Sequence, residues 1–152
     1  MVRPKVVLAR QEQHIRPAWP PLRRVLQQIL LDHDRGGMLS VALVDDAAIT
    51  RLHDEYLGEA TPTDVISFPL EDDEDGSPSP ERVFGEVVIS AETAQREAQR
   101  RGLEPERELA LYAIHGTLHL VGFDDLEPRA KRRMRRAEKK YLALYDESVA
   151  KR

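Results

Sequence analysis

Two histidines four residues apart, followed by a glycine and an acidic pair, are the residues of this sequence best suited to chemistry. The stretch reads His115-Gly-Thr-Leu-His119-Leu-Val-Gly122-Phe-Asp124-Asp125. Positions i and i+4 share one face of a helix, with Cβ atoms about 5–6 Å apart, so imidazoles at this spacing can bind one metal ion. Because three protein ligands and an open fourth position make a catalytic zinc site, the spacing predicts metal chemistry.

The third ligand is predicted to come from the turn that follows the helix. Gly122 can end the helix and reverse the chain, since glycine adopts the left-handed backbone conformation at little cost. The spacing His-x3-His-x5-Asp then nominates Asp125, so we predict His115, His119 and Asp125 as metal ligands. Asp124 has three alternative roles: the general base of catalysis, an acceptor for a hydrogen bond from a ligand, or a residue that holds the turn.

The sequence around the pair favours a metal over two unrelated imidazoles. Apolar residues occur almost all round the helix predicted from Pro105 to about Val121, which is typical of a buried helix. A buried polar group without a partner costs about 1–3 kcal/mol, and a metal would satisfy both rings. Gly116 costs roughly 1 kcal/mol relative to alanine inside a helix, so we expect another element to approach the backbone there. His14, His33 and His53 are predicted to be surface residues.

The bulk composition bounds the class of protein. A chain of 152 residues is predicted to form a single domain over its whole length. Without cysteines, a metal must be held by histidine and carboxylate. No long apolar run suggests a signal peptide or a membrane span, so we expect a cytoplasmic protein without a membrane partner.

Hydrophobic periodicity predicts an α+β single domain in which a small mixed sheet of about four strands packs with about five helices. Strands are predicted at 6–9, 39–44, 65–68 and 84–89, and helices at about 22–35, 49–57, 91–101, 105–121 and 128–146. The strands at 65–68 and 84–89 are joined only by a loop, which contains the acidic residues 71–75 within a solvated segment, 71–80. This favours a mixed sheet over a doubly wound parallel one, with the metal site at the end of the buried helix.

Charge is distributed unevenly along the chain. The net charge of −4 alone argues against nucleic acid, but residues 129–140 carry eight basic side chains and the single acid Glu138. We predict that Arg132, Arg133, Arg135 and Arg136 contact a nucleic-acid phosphate backbone, which the resemblance described below identifies as RNA. The alternative is a solvated helix face whose basic residues form ion pairs with acids on the same helix. The segment contains too few acids to pair most of them. With 5 % aromatic residues, stacking platforms for bases are not expected.

Three ordered motifs resemble the YbeY family, the bacterial metal-dependent endoribonucleases and rRNA maturation factors. The family signature His-Gly-x-Leu-His-Leu-x-Gly-Tyr/Phe-Asp-His is matched from His115 through Asp124. Thr-Pro-Thr-Asp-Val-Ile-Ser-Phe-Pro at 61–69 and Gly-Glu-Val-Val-Ile-Ser at 85–90 resemble two further family blocks, and the similarity runs from about residue 39 to the end of the final helix. The resemblance implies an endoribonuclease specific for single strands, with one zinc ion per chain. Its expected work is 16S rRNA 3′-end maturation and ribosome quality control, with rRNA and the small subunit as partners.

Two positions depart from the family pattern. Asp125 stands where the family has a third histidine; a carboxylate is an acceptable zinc ligand, but its charge leaves the metal a weaker Lewis acid. Leu57 stands where many members carry an arginine thought to line the substrate cleft. Either another basic residue replaces that arginine, or RNA cleavage is weak.

Two other functions compete with an RNA hydrolase. Some zinc proteases share the ligand spacing, but they place a glutamate directly after the first histidine as general base, and Gly116 stands there in this chain. The other competitor is a non-catalytic ribosome assembly factor with a structural metal. The open coordination position opposes that reading, whereas Leu57 and Asp125 favour it.

Overall fold

The computed structural model describes residues 3–10, 15–58, 63–70 and 82–151, and within these ranges it contains four strands and five helices. The elements are β1 (Lys5–Arg10), α1 (Trp19–Asp32), β2 (Met38–Val44), α2 (Asp46–Leu57), β3 (Val65–Pro69), β4 (Val83–Ser90), α3 (Ala91–Arg101), α4 (Pro105–Leu120) and α5 (Pro128–Ala150). The predicted α+β class is confirmed. His14, residues 61–62 and the acidic segment 71–80 lie outside the described residues. None of the described helices combines the length and the apolar character needed to cross a membrane.

The sheet is mixed, as the loop between the third and fourth strands predicted. Its strand order is β1-β2-β4-β3. The strands β1, β2 and β4 run parallel, and β3 pairs with β4 in the antiparallel sense at one edge. A direct loop connection allows antiparallel pairing, whereas parallel neighbours need a crossover. The edge strand β3 lies beside α4 and therefore contributes to the site.

Alternation along the strands divides the apolar residues between two sides of the sheet. Val41 and Leu43 of β2 join the main core, which also contains buried residues of α1, α3, α4 and α5. Ala42 and Val44 face the opposite side, where they pack with Ile49 of α2 in a smaller cluster. Because side chains alternate with a period of two, one strand serves both layers. Helix α4 thus lies within the main core, and α2 covers the other face.

Helix α1 ends earlier than the sequence predicted. The glycine pair at 36–37 was expected to end it, but the last helical residue is Asp32. The following residue, His33, donates from Nδ1 to the Ile29 carbonyl at 2.8 Å, and its ring packs edge-on against Phe123 with centroids 5.4 Å apart. Asp34 then adopts a φ of +53°, and the amides of Asp34 and Arg35 donate to the carbonyls of Leu31 and Leu30 at 3.2 Å and 2.8 Å, which closes the helix. The helix therefore ends without the glycines.

Helix α4 is buried over most of its circumference, with one partly exposed stripe. Its buried residues include Leu109, Ala113 and Leu118, each fully inaccessible. The side chains of His115 and His119 are 26 % and 30 % exposed. The prediction of a buried helix is therefore confirmed except along the stripe that holds the histidines.

Gly116 allows α4 to pack directly on the sheet. A Cβ atom at this position would lie 2.7 Å from Val87 Cγ1, 3.0 Å from Ser67 Oγ and 3.2 Å from Val65 Cγ2. The Ser67 hydroxyl also donates to the Gly116 carbonyl at 2.8 Å. Since real Cβ contacts do not approach 2.7 Å, any side chain would push the helix off the sheet. The expectation that another element approaches this backbone is confirmed.

Replacing Gly116 by alanine is expected to destabilise the protein by up to about 2 kcal/mol. Overpacking a core costs about 1–3 kcal/mol, and alanine's better helix propensity offsets roughly 1 kcal/mol of that cost. Urea unfolding of the variant measures the change. Gly36→Ala is the matched control, because no atom of the described residues lies within 4 Å of a Cβ there. Equal unfolding free energies for the two variants would contradict this account of the packing.

Candidate metal centre

The turn after α4 brings an acidic residue back to the helix end. Gly122 has φ of +108°. The Phe123 amide donates to the Leu118 carbonyl at 3.0 Å, and the Gly122 amide donates to the His119 carbonyl at 3.2 Å. Positive φ is the region that favours glycine. The predicted reversal of the chain at Gly122 is confirmed.

Three side chains meet at this point, and they are the ones the spacing nominated. His115 Nε2 lies 2.9 Å from His119 Nε2, and Asp125 Oδ2 lies 3.9 Å and 4.0 Å from these two nitrogens. Ligand atoms of a tetrahedral zinc ion lie about 3.3 Å apart. This value falls between the shortest and the longest of the three distances, 2.9 Å and 4.0 Å. Among the described residues, this is the only group of three histidine or acidic side chains with ligand atoms close enough for one ion.

The hydrogen bonds of the two rings make the site a good fit for a cation. His115 Nδ1 lies 2.5 Å from Glu138 Oε1, and His119 Nδ1 lies 3.0 Å from the Phe123 carbonyl oxygen. Both partners are acceptors, so each neutral ring carries its proton on Nδ1. The two Nε2 lone pairs then face each other at 2.9 Å, which is repulsive unless a cation lies between them. The donor set therefore fits a metal ion.

The electrostatic surroundings of the site are negative. The hydrogen bond to Glu138 raises the pKa of His115; burial opposes the shift, and the charges of Glu138, Asp125 and Asp64 add to it. The carbonyl end of α4 contributes further negative potential. These groups stabilise positive charge between the rings, whether it is carried by a proton or by a metal ion.

Asp124 lies in the turn rather than in the ligand group. Its Oδ1 accepts a hydrogen bond from the Leu126 amide at 3.2 Å, and the residue is exposed. An aspartate that binds the amide two residues ahead stabilises a turn. The geometry therefore supports the turn-holding alternative, and the role of Asp124 as a general base stays a prediction.

Two cavities meet at His115 and form a cleft over the start of β3. The larger, about 480 Å³, lies between β3, α3, α4 and α5, and the smaller, about 340 Å³, lies between α2, β3 and the two histidines. Both are lined by Thr63, Asp64 and Val65. Leu57 lines the smaller cavity, so this departure from the family pattern stands beside the histidine pair. His53 lines it as well, although the sequence had suggested a surface residue without a role.

The predicted RNA-contacting arginines lie on the exposed part of α5. Helix α5 turns Met134, Tyr141 and Tyr145 inward, which leaves Arg132, Arg133, Arg135 and Arg136 exposed. The Arg133 guanidinium lies 5.6 Å from the centroid of the Phe123 ring, beside the turn of the metal centre. The structure thus brings one of the four arginines to the candidate site and places the others in solvent along the same helix.

Comparison with known proteins decides the family. The sequence profile described as Endoribonuclease YbeY matches residues 9–146. The chain belongs to the YbeY family. The resemblance carried by the three motifs is therefore confirmed, and it extends further towards the N-terminus than residue 39.

Curated relatives named Endoribonuclease YbeY agree with this. One from Frankia casuarinae is 43 % identical over 71 % of this chain and 57 % of its own length. One from Carboxydothermus hydrogenoformans is 44 % identical over 75 % of this chain and 76 % of its own length. One from Protochlamydia amoebophila is 34 % identical over 90 % of this chain and 91 % of its own length. The chain spans 57 % and 65 % of the lengths of the two Frankia relatives it matches. The solution structure of a Thermotoga maritima protein has the same fold, with a TM-score of 0.66, 24 % identity, and coverage of 97 % of this chain and 91 % of that one.

The YbeY motifs contain the three candidate ligands but do not point to the residues around them. Asp64 lines both cavities, and its only signal was its place inside the second family block. Glu138 accepts a hydrogen bond from His115, and the only sequence feature that distinguished it is that it is the single acid in a basic segment. Sequence reasoning passed over both because neither is close to the histidine pair along the chain.

Proposed function

We propose that this protein is a zinc-dependent endoribonuclease specific for single-stranded RNA. Its expected work is the maturation of the 3′ end of 16S rRNA and ribosome quality control in the cytoplasm. The observation that carries the proposal is the group of His115, His119 and Asp125 in a cleft of a YbeY-family chain. Three ligands leave a fourth position for substrate or water, which a structural zinc site does not.

The chemistry of the proposed centre follows from its donors. His115, His119 and Asp125 would hold one ion per chain, which when bound acts as a Lewis acid towards phosphoryl oxygen and lowers the pKa of water. Glu138 and the Phe123 carbonyl hold the two rings with Nε2 directed at the ion position. The attacking group is either water or the 2′-hydroxyl of the RNA.

The position after the first histidine argues against a protease. A general base there would need a side chain, and a Cβ at Gly116 would lie 2.7 Å from Val87 Cγ1. Zinc proteases with this ligand spacing place a glutamate at that position. The packing of α4 on the sheet therefore excludes their arrangement of base and metal.

Among the described residues that line the cleft, few cations are unpaired and available to a phosphate. The larger cavity contains Arg96 and Arg101, but Arg96 Nη1 lies 2.6 Å from Asp46 Oδ2, and Arg101 Nη1 lies 3.7 Å from Glu108 Oε1. The smaller cavity has no lysine or arginine among its described lining residues. Of the two consequences of Leu57, weak RNA cleavage is therefore favoured over replacement of the missing arginine. The same feature supports the second candidate function, a ribosome assembly factor with a non-catalytic metal.

The exposed arginines of α5 are expected to supply the RNA affinity that the cleft lacks. Replacing Arg135 and Arg136 together by alanine should weaken single-stranded RNA binding and lower the slope of log affinity against log salt by about 1.4, since each phosphate contact contributes about 0.7. Fluorescence anisotropy at several salt concentrations measures both. The control is Arg23→Ala with Lys151→Ala, which removes two exposed charges away from this segment. If the two double variants have the same slope of log affinity against log salt, the basic segment does not contact RNA and is only a solvated helix face.

The proposed function is tested with purified protein loaded with zinc and freed of contaminating nuclease. A single-stranded RNA should be cleaved and the matching duplex left intact; chelation should stop the reaction and added zinc restore it. Cleavage of an unstructured peptide would support a protease instead. Binding to small ribosomal subunits without cleavage of any RNA would support the assembly factor.

A further inference from the structure

Glu138 is the one acid in the basic segment 129–140, and it does not face solvent as its neighbours do. Its side chain is 20 % exposed and lies on the same side of α5 as the buried residues Met134 and Tyr141. Its Oε1 accepts a hydrogen bond from His115 Nδ1 at 2.5 Å, across 23 residues of chain. A helix that is otherwise basic thus delivers one carboxylate to the metal centre.

The contact is made on the side of the ring that faces away from the ion position. Nδ1 and Nε2 lie on opposite sides of the imidazole, and the other two candidate ligands approach His115 from its Nε2 side. Glu138 is therefore not a fourth ligand. A carboxylate is a strong acceptor for an N–H group, and it stabilises the tautomer that carries the proton on Nδ1.

The two histidines are supported in different ways. His119 donates to the main-chain carbonyl of Phe123, four residues ahead in the same turn. His115 has no such local acceptor and depends on a side chain from another helix. Only the support of His115 can therefore be removed by substitution.

We propose that Glu138 is a positioning residue: it fixes the tautomer and orientation of His115 so that Nε2 is free to bind the metal. This inference rests on the metal site proposed above. Acceptors behind a ligating histidine commonly change metal affinity by 10–100-fold when they are removed. Through Glu138, the packing of α5 on α4 contributes to the affinity of the site for metal.

The test compares Glu138→Ala, Glu138→Gln and the control Glu147→Ala, which removes the same charge from an exposed position on the same helix. Zinc affinity is measured by competition with a chromogenic chelator. We expect Glu138→Ala to bind zinc about 10–100-fold more weakly. Glu138→Gln should fall between alanine and wild type, because its amide oxygen can still accept from Nδ1. Glu147→Ala should match wild type.

A second readout does not depend on the metal. Nitrogen chemical shifts of ¹⁵N-histidine-labelled, zinc-free protein report which ring nitrogen carries the proton. The neutral His115 ring should be Nδ1-protonated in wild type and a mixture of tautomers in Glu138→Ala. If the alanine variant does not fold, Glu138→Met carries the comparison, since it keeps a side chain of similar length but has no oxygen to accept from Nδ1.

The two proposals fail in different ways. Wild-type protein that does not bind zinc would refute the metal site, while the tautomer measurement would still test the role of Glu138. Equal zinc affinity and an unchanged His115 tautomer in folded Glu138→Ala, or in Glu138→Met where alanine does not fold, would overturn the positioning role and leave the metal site standing.

Discussion

Replacing His119 by alanine is expected to abolish stoichiometric zinc binding and to lower RNA cleavage by at least about 1,000-fold. The variant keeps one imidazole and one carboxylate, which leaves the ion without the three ligands of a catalytic site. Loss of a Lewis acid that stabilises the transition state by several kcal/mol corresponds to about three powers of ten in rate. Metal analysis of the purified variant and single-turnover cleavage of a labelled RNA measure the two effects.

The His119 variant should fold normally, because its side chain is 30 % exposed in the last turn of α4 and carries little of the core. Circular dichroism and thermal unfolding of the metal-free proteins check this. Cleavage by the variant at the wild-type rate would show that the activity belongs to a contaminating nuclease. Full zinc binding by the variant would show that the ion lies elsewhere.

Replacing Asp125 by asparagine is expected to weaken zinc binding by more than about 100-fold, exceeding the 10–100-fold typical of groups behind the ligands. The neighbouring change Asp124→Asn is the matched control. This control removes the same charge one residue away. The asparagine side-chain oxygen can still accept the hydrogen bond from the Leu126 backbone amide that Asp124 accepts at 3.2 Å. Zinc competition on the two variants decides which aspartate binds the ion.

A second substitution at position 125 tests the departure from the YbeY pattern. Asp125→His restores a neutral imidazole, so we expect zinc to stay bound and, as a stronger Lewis acid, to support cleavage at the wild-type rate or faster. If Asp124→Asn loses zinc and Asp125→Asn retains it, the ligand assignment from spacing is wrong.

The proximity of the three candidate ligands could be predicted from sequence because their geometry is local. Helical spacing sets the distance between the two histidines, and one glycine with positive φ returns the chain. All three ligands lie within a single helix and its turn, so no long-range packing had to be known. The four strands and five helices followed from periodicity for the same reason. The end of α1 did not, because Asp34 adopts positive φ and closes the helix before the glycines are reached.

The surroundings of the ligands could not be predicted, because they depend on how distant elements pack. Glu138 reaches His115 from α5, and Asp64 reaches the cleft from the start of β3. The apolar pattern of α4 indicated burial all round, but Leu111 and His115 line the larger cavity instead. An apolar residue facing a cleft is indistinguishable in sequence from one in the core, so the opening beside the histidines became visible only in the fold.

The most direct test of the account is an anomalous scattering measurement on crystals grown with zinc. A difference map above the zinc absorption edge should show one peak per chain, about 2.0–2.2 Å from His115 Nε2, His119 Nε2 and an Asp125 carboxylate oxygen. If zinc is supplied and the three side chains are well ordered but no peak lies between them, the proposed metal centre is contradicted. The proposed hydrolase function, which depends on that centre, is then contradicted as well.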